Sequence, residues 1–152
     1  MGKYTWVIQM IDTTRIKDIR EDKDITQKQM ASILGVNRST YSMWEIGLSF
    51  MSVEQLCKFA NYFNYSIDYV LGLSNNRKNV ITGNFDYKKL GKNIKMLRIK
   101  NSLSQVELAN KMKVTQTCIV RWEKGITKIS LSNLYELAKI FKISLDKICY
   151  SS

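Results

Sequence analysis

Histidine is absent from the 152 residues, which removes Ser-His and Cys-His nucleophile pairs, a histidine general base and any histidine-ligated metal. The three cysteines, Cys57, Cys118 and Cys149, stand tens of residues apart, so no Cys-x-x-Cys pair offers a zinc or redox site. A nucleotide-binding glycine loop and a clustered carboxylate pair are also lacking. The expectation is a protein that is not an enzyme and carries no metal or other cofactor. What the sequence holds in excess is cations, 24 Lys and Arg against 13 Asp and Glu, for a net charge of +11. A basic patch on a folded protein attracts a polyanion, with nucleic acid and an anionic membrane surface as the usual partners.

The excess has an address. Residues 1–75 carry eight cations and eight anions, which cancel, whereas residues 76–152 carry 16 cations and five anions, so the whole +11 belongs to the second half. No apolar run approaches the roughly 18 residues of a membrane span. Met1 to Asp12 is too short, and too broken by Gln9, for a signal peptide. With an odd, sparse cysteine count that suits a reducing compartment, a soluble cytoplasmic protein with no membrane partner is expected.

The elements that must position these charges come in two copies. Sliding the chain over itself by 78 positions aligns Ile16–Leu71 with Ile94–Cys149 without a gap, and 15 of the 56 positions are identical. Chance at ordinary composition gives about three or four. The expected organisation is a first, near-neutral domain over 1–73, a polar linker over 74–84, and a second, strongly basic domain over 85–152. Fully stretched, that linker would span about 35 Å, close to the one-turn spacing of adjacent major-groove sites.

Each copy reads as five short helices, so the fold class is all-α. Tyr87 to Lys100 places Leu90, Ile94 and Leu97 on one face. Ser104-Gln105-Val106-Glu107 is a capping box, with Thr26-Gln27-Lys28-Gln29 as its counterpart. Further helix starts fall near Asn37 and Thr115, at Ser52 and Ser130, and at Ser66 and Ser144, all good N-caps. The β-prone stretches 4–8 and 80–82 are candidates for short β segments.

The segments Thr26–Gly47 and Ser104–Gly125 have a mechanical reading. Two short helices join through a turn at Gly35-Val36 or Lys113-Val114. Ala31 and Ala109 are small where the helices approach closely, Val36 and Val114 are expected to plug the core beneath the turn, and Trp44 and Trp122 hold the second helix. The residues between those holds are left facing outward, as a helix entering a major groove requires.

Both copies resemble the Cro/repressor-type (XRE) helix-turn-helix family, whose Ser-Gln, Leu-Ala, Val, polar cluster, Trp-Glu-x-Gly and late Ser-x-Asp are matched twice, over about 110 of the 152 residues. The resemblance implies two tandem five-helix repressor-like domains that bind duplex DNA with the third helix in the major groove. It implies base contacts at Gln116, Thr117 and Arg121 in the second copy and at Arg38, Ser39 and Met43 in the first. Gln can pair with adenine and Arg with guanine in bidentate fashion, while Met offers only apolar contact. Gln27 and Gln105 match the family's phosphate-binding position, where the helix dipole also favours an anion, and Lys124 and Lys128 follow the recognition helix within reach of phosphates. Arg20 with Glu45 and Arg98 with Glu123, both 25 residues apart, match the family's structural salt bridge; if buried, each should cost roughly 3–5 kcal/mol to break. The three cysteines fall at packing positions and are expected to be inert thiols.

The expected function is a sequence-specific transcriptional regulator acting on double-stranded DNA, as a repressor, with the second domain supplying most of the affinity. The competing reading is an antitoxin-like or accessory regulator whose first domain is an interaction module, forming a homodimer or gripping a protein partner. The apolar loop residues Leu48, Phe50 and Met51 favour it, since an exposed apolar loop often marks an interface.

Overall fold

Hydroxyl and amide side chains start nearly every helix of the computed structural model, which describes residues 12–78 and 83–150. The first half forms α1 (Thr14–Glu21), α2 (Gln27–Leu34), α3 (Arg38–Glu45), α4 (Val53–Phe63) and α5 (Ile67–Val70). The second forms α6 (Tyr87–Lys100), α7 (Gln105–Met112), α8 (Gln116–Glu123), α9 (Leu131–Phe141) and α10 (Leu145–Tyr150). Thr26 and Ser104 close capping boxes with Gln29 and Glu107, so two amides left unpaired by each helix start are satisfied reciprocally. Asn37, Thr115, Ser52, Ser130 and Ser66 each accept from an amide in the first turn that follows. The class is all-α. The β-prone stretches 4–8 and 80–82 lie outside the described residues, among which extended pairing is limited to an isolated antiparallel bridge between Tyr65 and Lys78.

The chain divides into two compact units, Met1–Val80 and Ile81–Ser152. In the first, α2 packs on α3 and α4, and α1 on α3 and α5; in the second, α6 packs on α8 and α10, and α7 on α8 and α9. The cores are built from equivalent positions. Met30, Leu34, Tyr41, Leu56 and Phe59 in the first unit correspond to Leu108, Met112, Ile119, Leu134 and Leu137 in the second, all buried. Ala31 and Ala109 are buried between helices, and Trp44 and Trp122 are buried on the inner face of α3 and α8. Val36 and Val114 differ from expectation. They are only half-buried, held instead through their amides, which donate to the carbonyls of Ala31 and Ala109. The buried apolar residue just before the turn is Leu34 or Met112.

The helix-to-helix turn needs a left-handed residue, Gly35 at φ 70° in the first unit and Lys113 at φ 54° in the second. Gly91 is needed for another reason. A Cβ there would lie 2.4 Å from the carbonyl oxygen of Trp122 and 2.6 Å from that of Glu123, so α6 can approach the end of α8 only without a side chain.

The polar stretch after Leu73 is not all spacer. Arg15 Nη1 donates to the carbonyls of Tyr69 and Ser74 at 3.1 and 2.9 Å, and its guanidinium lies over the Tyr69 ring, 4.6 Å from the centroid. The amide of Ser66 donates to Arg77 O, Ser66 Oγ donates to Asn76 O, and Arg77 Nε donates to the Tyr69 hydroxyl. Residues 74–78 are thereby held on the first unit. The second unit has Asn93 where the first has Arg15; it is buried and donates from Nδ2 to Ile148 O, tying α6 to α10.

Candidate nucleic-acid interface

The end of each helix-turn-helix is fixed by one buried charge cluster. Arg20 Nε donates to Glu45 Oε1 at 2.6 Å and Nη2 to Oε2 at 3.2 Å, with the two side chains 7% and 1% exposed. Arg98 meets Glu123 with the same atoms at 2.5 and 3.2 Å. The remaining arm, Nη1, donates to the carbonyl of Ile25 or Leu103. A bidentate pair with its spare donor satisfied is the arrangement that offsets the desolvation of two buried ions. Burial alone would raise the Glu45 carboxyl, but hydrogen bonds from Arg20 and Gln27 outweigh it and hold that carboxyl below its ordinary value. The Glu45 hydrogen bond in turn raises Arg20.

The two glutamines assigned to phosphate belong to this cluster. Gln27 Nε2 donates to Glu45 Oε2 at 2.8 Å, and Gln105 Nε2 donates to Glu123 Oε2 at 3.0 Å. One amide hydrogen of each is therefore committed inside the protein. Gln105 Oε1 accepts at 3.5 Å from Gln116 Nε2, so the cluster extends to the first residue of α8. A signal for this was present: Gln27 and Gln105 are among the 15 identities of the repeat, as are the Arg and Glu they join.

The outward face of α8 presents Gln116, Thr117 and Arg121, all exposed, and the turn beyond it presents exposed Lys124 and Lys128. Arg121 Nε donates to Thr127 Oγ1 at 2.7 Å. Lys128 Nζ lies 5.4 Å from the centre of the Tyr87 ring. Cys118, half-buried on α8, accepts a hydrogen bond from the Thr115 hydroxyl; Cys57 and Cys149 are buried.

On α3 the equivalents Arg38, Ser39 and Met43 are also exposed. Beyond that, the units diverge. Where the second carries Arg121, Lys124 and Lys128, the first carries Met43, Ile46 and Phe50, each 78 residues earlier. Met43 is 41%, Ile46 64% and Leu48 73% exposed. One expectation is corrected here: Met51 is only 4% exposed. It occupies the core position that Ile129 fills in the second unit, because the chain turns inward there to start α4. Phe50 is half-buried, so of the three residues assigned to a protein-facing loop, only Leu48 is fully exposed.

The helix-turn-helix family model matches residues 16–70 and again 94–148, an offset equal to the internal repeat. The chain belongs to the helix-turn-helix family. Its two copies are of the Cro/repressor (XRE) type, in a family of DNA-binding transcription regulators. Among individual proteins, it is 33% identical over 63 residues to the HTH-type transcriptional regulator YqaE of Bacillus subtilis, a match covering 41% of this chain and 54% of that protein. It is 35% identical over 57 residues to the SPbeta prophage-derived regulator YonR of the same organism, covering 38% of this chain and 53% of YonR. It is 33% identical over 57 residues to the transcriptional activator BcrR of Enterococcus faecalis, covering 38% of this chain and 28% of BcrR. The chain thus spans about half the length, or less, of the curated relatives it matches. Among solved structures, the restriction-modification controller protein C.AhdI of Aeromonas hydrophila is similar at 28% identity and a TM-score of 0.40, over 41% of this chain and 96% of that one. Among the described residues, no helix is long and apolar enough to cross a membrane.

Proposed function

We propose that this helix-turn-helix protein is a sequence-specific, duplex-DNA-binding transcription regulator whose second unit is the principal DNA-gripping unit. The observation that carries the reading is the paired contrast at the end of α8 and α3 and in the turn that follows, with Arg121, Lys124 and Lys128 in one unit and Met43, Ile46 and Phe50 in the other. In the proposed mode α8 enters the major groove with Gln116, Thr117 and Arg121 toward base edges. Lys124 and Lys128 meet phosphates, which set register and affinity without reading sequence. Gln105 contributes its second amide hydrogen, beside a helix start whose dipole favours an anion. The first unit adds sequence reading through Arg38, Ser39 and Met43. The proposed sign is repression, since a bound chain excludes other proteins from the same groove without any further part.

The test is selection from a random duplex library on the whole chain, followed by titration of Arg121→Ala. The selected duplex should lose about tenfold or more with this variant, the scale of one bidentate base contact, and random duplex much less. Equal losses on both would make Arg121 a phosphate contact, and failure to enrich any duplex would remove the reading altogether. A reporter behind the selected site then gives the sign.

A second reading is favoured by a specific surface. Met43, Ile46 and Leu48 form an exposed apolar edge at the end of α3, with the Leu48 amide donating to Met43 O. In that reading the first unit docks on a protein, either a second copy or a different chain. A monodisperse monomer with both units on DNA would exclude it.

A further inference from the structure

The base-reading arginine of the second unit is not left to swing. Arg121 Nε donates to Thr127 Oγ1 at 2.7 Å, and Thr127 is itself drawn to that place by the backbone, since the amides of Ile126 and Thr127 both point at Arg121 O, at 2.9 and 3.5 Å. A guanidinium is a rigid planar fork of five donors. Occupying Nε fixes the plane of the fork and leaves Nη1 and Nη2 as the pair able to meet two acceptors. Guanine offers N7 and O6 side by side in the major groove, and an arginine can take them either end-on, through both Nη atoms, or side-on, through Nε and one Nη. Only the end-on mode is compatible with the bond to Thr127.

The first unit supplies the internal control. It keeps a hydroxyl at the equivalent position, Ser49, whose amide likewise donates to the carbonyl of residue 43, but residue 43 is a methionine and offers nothing to orient. The hydroxyl acquires this use only where an arginine stands opposite it.

We infer that Thr127 is a specificity-determining positioning residue: it orients Arg121 for end-on recognition of guanine without touching a base itself. The inference rests on the reading of Arg121 as a base contact.

The experiment uses the whole chain and the duplex selected by the wild-type chain, with a random duplex of the same length as the comparison. Thr127→Val keeps the shape and removes the hydroxyl, Thr127→Ser keeps the hydroxyl, and Arg121→Ala supplies the background for a double-mutant cycle. Thr127→Val should weaken the selected duplex about five- to tenfold, the scale of one lost hydrogen bond, and leave the random duplex and the salt slope unchanged. Thr127→Ser should restore wild-type binding. Once Arg121 is already Ala, Thr127→Val should do nothing further. The inference is overturned if Thr127→Val weakens both duplexes alike, if it still weakens binding in the Arg121→Ala background, or if it leaves the selected duplex unaffected. If the wild-type chain selects no duplex, the functional reading fails together with it; if it selects one and Thr127→Val is silent, only the role of Thr127 fails.

Discussion

At the scale of single residues, the buried Arg-Glu-Gln cluster ties the first helix of each unit to the end of its helix-turn-helix. Removing one partner of a buried ion pair costs roughly 3–5 kcal/mol where the other charge is left unpaired; Arg20 keeps a part-exposed partner in Glu21, whose Oε1 accepts from Nη2 at 3.3 Å. Glu45→Gln should therefore destabilise the first unit at neutral pH, by about the lower end of that range or less. The dependence on pH has a definite sign. The Glu45 carboxyl titrates below its ordinary value of 4.5 in the folded state, so its stabilising effect is fully present above that value and is lost as pH falls through the folded one. The gap between wild type and Glu45→Gln, measured by urea denaturation of the 1–80 unit, should be largest near neutrality and close in acid. A gap that persists unchanged below the folded value would mean that the charge of Glu45 is not what holds the cluster.

At the scale of elements, the approach of α6 to the end of α8 depends on Gly91. In an open helix, replacing Gly by Ala stabilises by about 1 kcal/mol. Here the new methyl would press on two backbone carbonyls that have nowhere to go. Gly91→Ala is thus expected to destabilise the 81–152 unit by about 1–3 kcal/mol, and a rise in its melting temperature would show that the two helices do not meet as described.

The elements themselves were legible because their signals are local. Ser104 with Glu107 and Thr26 with Gln29 announce helix starts through hydrogen bonds made within three residues. Trp44, Trp122, Ala31 and Ala109 repeat at the core-facing positions of a helical period. What the sequence did not reveal depends on contacts between distant segments. Gly91 meets residues 31 and 32 positions later, Arg15 bonds residues 54 and 59 positions later, and the Gln27–Glu45 bond spans 18. Met51 follows the same logic: an apolar run reads alike whether a loop exposes it or the following helix draws its last residue into the core.

At the scale of the whole molecule, charge and surface distinguish two units of one fold. The unit 81–152 holds 14 of the 24 cations and five of the 13 anions, whereas the unit 1–80 holds ten cations and eight anions. The cations of the second unit are spread over its helices, six of them on α6, and include Lys124 and Lys128 in the turn after α8, where the first unit has Ile46 and Phe50. Residues 74–78, bonded to Arg15, Ser66 and Tyr69, belong with the first unit.

Titration of the separate units 1–80 and 81–152 with the selected duplex, across a range of salt, tests the division most directly. Neutralising six phosphates should give the second unit a logarithmic salt slope of about −5, with the first unit binding more weakly and on a shallower slope. Equal affinities and equal slopes for the two units would contradict the account.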